Sequence, residues 1–415
     1  MEKKRIVITG IGVISPIGIG KDPFWQSLKT GKSGVKPITL FDVSKYNVKV
    51  GGEISDFDPA VILGKRGSLD LDRSTKLLLS SAKLALDDAG LEINEGNSSQ
   101  IGVVVGTTLG SLDSFSKFDR SAIIDGPRYV NPSVFINAAV NTSASRMGIK
   151  FKITGFNSTI STGMCSALDA LDYACDFIDL NRIHTGVVGG VEDFSVEAFL
   201  GCYKLRYLSG FDGKHEPISC PFDKRRNGIV FSEGAVTFIV EERGDALKRK
   251  AHIYGEILGM ASSFDPTHPY KYNPKGQGMI SAMRMALKDA DLKPEDIDCI
   301  FANANSTQDA DKIEVKAIKE VFGGHTKRIP VTSVKSNIGE SFSVSGGFSL
   351  AAALGAMEKG FIPSLVNYSQ QDPECDLNFV LNGNGNEELS HLSRIMVNTF
   401  SSNGANSVGI IGKLQ

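Results

Sequence analysis

Apolar positions recur along this chain in two periods, and the switching between them sets the predicted elements. Alternating or short continuous apolar runs mark strands over 5–10, 101–105, 157–162, 185–191, 229–240, 252–260, 299–302, 395–399 and 408–411. Between them, apolar residues at i, i+3, i+4 and i+7 predict helices over 24–28, 73–89, 131–147, 164–178, 279–290, 309–322 and 341–357. The 73–89 helix carries Leu77, Leu78, Ala82, Leu84 and Leu86, and Gly90 is positioned to cap it. Pro132 occupies the favoured first position of its helix. Strand alternates with helix throughout, which predicts an α/β protein with buried sheets. The series runs twice, so two similar halves are expected, 1–250 and 251–415. No low-complexity linker separates them, which predicts one compact unit.

One stretch concentrates the chemistry. A strand-like run from Asn157 to Thr162 turns through Gly163 into a helix whose apolar face is Met164, Ala167, Leu168, Leu171, Ala174, Cys175 and Ile178. Asp169, Asp172 and Asp176 repeat on another face. Residue 164 is thereby expected at the positive end of a helix dipole, where a thiolate or an oxyanion is stabilised. The residue there is Met164, whose thioether has no proton to lose and cannot form an acyl-enzyme. The turn reads as a catalytic site whose catalyst has been removed.

Composition narrows the class. The 415 residues carry 45 basic and 47 acidic side chains, a net charge of −2, which gives no support for nucleic-acid binding. No apolar run reaches roughly 18 residues, so no membrane span is expected. The opening Met1 to Arg5 is basic, but Gly10, Gly12 and Pro16 interrupt any signal-like apolar segment, and a first strand entering a Gly-rich turn over Gly10–Gly18 is expected. That Gly10-Ile-Gly12 pair lacks the rest of a dinucleotide fingerprint. The six cysteines form no CxxC pair and read as reduced thiols of a cytoplasmic protein. The six histidines, His391 among them, show no metal-ligand spacing, so neither metal nor cofactor is expected.

Several motifs resemble the β-ketoacyl-acyl-carrier-protein synthases, across essentially the whole chain. They are the opening Arg5–Gly18, Gly126-Pro-Arg128, Val188–Glu192, Pro221–Gly228, Ser306-Thr307 with Asp311 and Glu314, Val334–Gly339, and Phe400 with Gly404–Asn406. The resemblance implies the thiolase-like fold, two halves layered αβαβα. It also implies a Cys nucleophile and two His residues that orient and polarise a malonyl thioester. Those three positions fall on Met164, Asn303 and Glu340, all changed together. Lys335 remains, with Glu314 and Asp311 as its expected acidic partners. The position of a gating aromatic falls on Ser402. The branch that resembles this pattern is the chain-length factors of type II polyketide and polyene systems. These pair with an intact ketosynthase in a heterodimer served by an acyl carrier protein. Leu112, Phe115 and Phe118 lie where that branch lines its tunnel at the subunit interface, although apolar residues at helical spacing are also ordinary core.

Two function classes follow. The first is a catalytically silent subunit that shapes a partner's product cavity. The second is an acyltransferase or condensing enzyme using Cys165 as a displaced nucleophile. A helix turns about 100° per residue, so the Cys165 thiol is expected to point away from the site and pack as structure. Asn303 and Glu340 are expected to bond each other or nearby backbone, and a Lys335–Glu314 pair to be structural.

Overall fold

The computed structural model describes residues 3–67, 71–381 and 392–414; Met1 of the basic opening and His391 lie outside them. The first half contributes strands β1 (Ile6–Ser15), β2 (Ile101–Gly106), β3 (Asn157–Ile160), β4 (Thr185–Glu192) and β5 (Gly234–Glu242). The second contributes β6 (Gly255–Phe264), β7 (Cys299–Phe301), β8 (Val331–Thr332), β9 (Arg394–Phe400) and β10 (Ala405–Gly412). Among the described residues the sheet runs β8-β7-β9-β10-β6-β1-β5-β4-β2-β3, with the short Gly18–Ile19 strand beside β1. Each half repeats one pattern outward from the centre: two antiparallel pairings, then two parallel ones. A short antiparallel ladder from Ile6–Ile8 to Gly255–Ile257 joins the halves.

The period-two alternation decides which core each strand residue enters. Val104, Val188, Val236 and Val240 point to a central core; Val103, Val105, Val187 and Ile239 point to an outer one. The central core is built around α6 (Ser166–Asp179) and α9 (Ser345–Lys359). Earlier in the chain come α1 (Lys21–Lys29), α2 (Arg73–Ala89), α3 (Leu112–Ile124), α4 (Pro132–Ala138) and α5 (Thr142–Phe151). Helix α2 covers the outer face of the first half; α7 (Gln277–Asp289) and α8 (Gln308–Phe322) cover that of the second. Helix, sheet, helix pair, sheet, helix is the layered αβαβα order. None of the described helices is long and apolar enough to cross a membrane.

Three expected elements differ. The Gly-rich segment from Gly10 is not a turn, because β1 runs on to Ser15. Its glycines serve packing: a Cβ at Gly10 would sit 2.4 Å from Ala85 O, and one at Gly12 1.9 Å from Ser81 O, so α2 lies directly on the strand. The helix expected to reach Met147 from Pro132 is split into α4 and α5, with extended Ala139 between them and the Thr142 hydroxyl donating back to Ile136 O. The long strand expected from Ile229 starts at Gly234. Before it, Ile229, Phe231 and Ser232 make single bridges to Leu208, Glu340 and Gly52. Those bridges bring Glu340 to the inside of the molecule.

Candidate active site and its surroundings

The turn after β3 is built by short hydrogen-bonding residues. Gly163 has φ +71°, in the left-handed region that favours glycine, and a Cβ there would lie 2.6 Å from Ser401 Oγ. Ser166 accepts from Thr162 N at 3.0 Å and donates to Gly163 O at 2.6 Å, closing the turn onto α6. The second half repeats the device: Ser345 accepts from Ser341 N at 3.2 Å, and Phe342 has φ +46°. Met164 therefore stands where the duplicated fold brings two helix starts together. It is 2% exposed, its N–H faces Ser401 Oγ at 3.4 Å, and the Tyr272 hydroxyl approaches its sulfur at 3.9 Å.

Asn303 and Glu340 converge on one cation. Lys335 Nζ donates to Asn303 Oδ1 and to Glu340 Oε2, both at 2.8 Å. The other Glu340 oxygen accepts from Phe342 N at 2.9 Å and from the Ser345 hydroxyl. All of these side chains are buried. Of the two expected arrangements, the bond between Asn303 and Glu340 is replaced by the Lys335 bridge while Glu340 does bond nearby backbone at Phe342, and the expected Lys335–Glu314 pair is replaced by Lys335–Glu340. Glu314 instead accepts from the backbone N–H groups of Asn303 (2.9 Å) and Ala304 (2.7 Å) and fixes that loop. Burial raises its carboxyl to about 7. Asp311 accepts from Phe222 N at 2.8 Å beside Arg226, and burial raises it to about 6. Glu314 and Asp311 thus hold backbone, while Glu340 holds the lysine.

Cys165 lies on the far side of the turn. Its thiol faces Thr399 O at 3.2 Å and Ala405 O at 3.4 Å, and burial pushes its pKa well above the usual thiol value. A thiol so placed is a packed donor to β9 and β10. Ser402 lies in the turn joining those strands and is buried.

Residues outside the motifs complete the site. Glu192 accepts from Thr108 N (3.2 Å), Leu109 N (3.1 Å) and Ser343 Oγ (2.8 Å), tying the loop before α3 to the second turn; burial raises it to about 7. Tyr272 sits on a loop with no periodic signal, and nothing in the sequence pointed to it. It forms one wall of a cavity of about 710 Å³ that also touches Tyr207, Tyr270, Lys271, Thr307 and Lys312. Among the described residues no group of three or more His, Cys, Asp or Glu side chains is placed to hold a metal ion.

Leu112, Phe115 and Phe118 all lie on α3. Leu112 is half-buried against a core cluster, Phe115 is 53% exposed, and half-buried Phe118 packs in a tilted arrangement on Phe135 of α4, ring centroids 5.3 Å apart. Ile123, Ile124, Tyr129, Phe135 and Ile136 continue an exposed apolar face. Next to α5, β3 ends the sheet, and among the described residues no strand pairs with its outer side.

Residues 3–246 match the family described as "Beta-ketoacyl synthase, N-terminal domain", and residues 254–369 match "Beta-ketoacyl synthase, C-terminal domain". A 3-oxoacyl-[acyl-carrier-protein] synthase 2 of Coxiella burnetii is 35% identical over 415 residues, covering 100% of both chains. The tetracenomycin polyketide synthase ketoacyl synthase alpha subunit of Streptomyces glaucescens is 34% identical over 388 residues, covering 92% of this chain and 91% of its own. Among solved structures, the ishigamide ketosynthase/chain length factor aligns with a TM-score of 0.92 at 29% identity and covers 100% of both chains. A type II polyketide synthase acyl-carrier protein in complex with its ketosynthase gives 0.89 at 26% identity, with 100% of both chains covered.

Proposed function

This chain belongs to the β-ketoacyl synthase family and has its thiolase-like fold, and from that premise we propose that it is a catalytically silent subunit, a chain-length factor, that pairs with an active ketosynthase. The observation that carries this reading is the buried Lys335–Asn303–Glu340 cluster, together with a thioether at position 164.

Claisen condensation needs a thiolate to take the acyl chain, and Met164 offers none. It then needs hydrogen-bond donors where the enolate oxygen forms after decarboxylation. Asn303 keeps an amide N–H, but its carbonyl is turned to Lys335. Glu340 brings a carboxylate, the wrong sign beside an enolate, and both its oxygens are already engaged. Lys335 neutralises that carboxylate, so the cluster is electrostatically satisfied without substrate.

The partner role draws on the surface. Thiolase-like subunits bury a large apolar face between them, and obligate interfaces of this kind exceed roughly 2,000 Å². The outer side of β3, unpaired among the described residues, and the exposed apolar side chains of α3 and α4 would form such a face. Phe118 and its neighbours Leu112 and Phe115 would lie at the seam, where they bear on the length of the partner's product. An acyl carrier protein would then deliver its cargo to the partner.

A second reading, an acyltransferase using Cys165, has in its favour that the Coxiella burnetii relative bears an enzyme's name over its full length. The orientation of Cys165 toward two carbonyls counts against it. Incubation of the isolated chain with an acyl-carrier-protein thioester, followed by intact mass, separates the two. No adduct is expected; an acyl group mapped to Cys165 would establish the second reading instead.

A further inference from the structure

The cavity of about 710 Å³ is lined by the 205–215 segment, the 270–274 loop and the start of α8, with Tyr272 on its wall. Met164, Asn303 and Glu340 are not on its walls. Each is no more than 2% exposed. Tyr272 bridges the two sides. Its ring lines the cavity and packs against the outer core of the second half. Its hydroxyl reaches Phe400 O at 3.5 Å and Met164 Sδ at 3.9 Å, and accepts from Asn305 Nδ2 at 3.3 Å. The loop is anchored behind it: Asn273 Nδ2 donates to Asp265 Oδ1 at 2.7 Å, and Gly276 N donates to Asn273 O at 2.8 Å.

We propose that Tyr272 is a stopper that closes the passage from this cavity to residue 164, so that an acyl thioester on a long flexible arm, or any small electrophile, ends short of Met164. Closure is then a second device, separate from the loss of the nucleophile. A phenol suits the task. The ring fills the passage, while the hydroxyl finds a carbonyl acceptor and an amide donor at its buried end, so that it is not left unpaired. A smaller residue would remove the ring and leave the passage open.

The inference deepens the reading of a silent subunit, but its test measures access and not chemistry, so either can fail alone. Met164→Cys is made in the full-length chain with Tyr272 intact, and again with Tyr272→Ala and with Tyr272→Phe. Each protein is treated with iodoacetamide under native conditions, and the fraction modified at residue 164 is followed by tandem mass spectra that separate it from Cys165. In a closed site the reagent must wait for a local opening, so Tyr272→Ala is expected to raise the labelling rate by at least about tenfold, while Tyr272→Phe, which keeps the ring, stays near the parent. Buried Cys299 reports general loosening. If it labels faster in Tyr272→Ala as well, Tyr272→Leu is judged by the same criterion. Equal rates with and without the ring, or a Phe variant as open as the Ala variant, would overturn the proposal.

Discussion

The ammonium of Lys335 lies between an amide oxygen and a carboxylate, all three buried, with no water-facing alternative for the charge. Removing one member of such a pair leaves the other charged and uncompensated, which costs roughly 3–5 kcal/mol, whereas replacing both by apolar groups can be close to neutral. Lys335→Met should therefore lower the denaturant midpoint strongly, and Lys335→Met with Glu340→Leu should recover much of the loss. If the double variant lost the sum of the two single losses, the residues would not act as a pair. Glu314 gives a pH signature. Its carboxyl is raised from 4.5 to about 7 by burial. The folded state therefore holds its proton more tightly than the unfolded chain does. Its contribution to stability is complete below about pH 4.5 and is lost as pH rises through about 7. Glu314→Gln cannot ionise, so thermal unfolding of the variant relative to the parent should shift in the variant's favour from pH 5 to pH 8. A constant difference over that range would show that Glu314 does not titrate in the fold. The motifs located these residues but not their partners. Glu340 follows Lys335 closely in the chain, and Asn303 belongs to a different loop. The tertiary bridge from Phe231 to Glu340 and the bonds from Phe342 N and the Ser345 hydroxyl hold the carboxylate that the lysine meets.

At the scale of elements, α3 places Leu112, Phe115 and Phe118 at different depths, and that difference sorts what each can do. Phe115 has half its surface free, while Leu112 and Phe118 are already partly packed. On the reading of a chain-length factor, trimming a side chain that closes the product tunnel opens space for about one or two more two-carbon units, on the scale at which large-to-small substitutions leave cavities. Leu112→Ala, Phe115→Ala and Phe118→Ala, each co-expressed with the partner ketosynthase, are expected to lengthen the product in at least one case, as read by mass spectrometry. Unchanged length in all three would place the tunnel elsewhere. Local pattern was a good guide where packing and propensity agree: Gly90 ends α2 in the left-handed conformation, as the sequence predicts. It misled where tertiary contacts decide. The glycines of β1 looked like turn formers, although their role is to let α2 approach. Tyr272 could not be singled out because its significance lies in a contact with a residue 108 positions away.

For the whole molecule, duplication explains how residues 164, 303 and 340 could change, as the reading of a silent subunit requires, without the fold changing. The two helix starts at Ser166 and Ser345 are closed by equivalent serine bridges, and the sheet repeats its pairing pattern on each side of β1 and β6. None of these devices uses the side chains of Met164 or Asn303, so replacing them leaves the frame standing. The outer surface carries a different demand. Among the described residues the outer side of β3 is unpaired, and Phe115, Phe135 and Ile136 are exposed; both features invite pairing or apolar burial with another chain. Expressed alone, the chain should self-associate, while co-expression with a catalytically intact ketosynthase should give a one-to-one complex by native mass. Ile136→Asp puts an unpaired charge into the face and should abolish co-purification while leaving the far-UV signature of the fold intact. Treated with an acyl-carrier-protein thioester, the parent complex should carry its acyl group on the partner subunit alone. A stable monomer at micromolar concentration, with the Ile136→Asp chain still co-purifying with the ketosynthase, would mean that this face is not the seam. The product-length role built on it would then have to be given up.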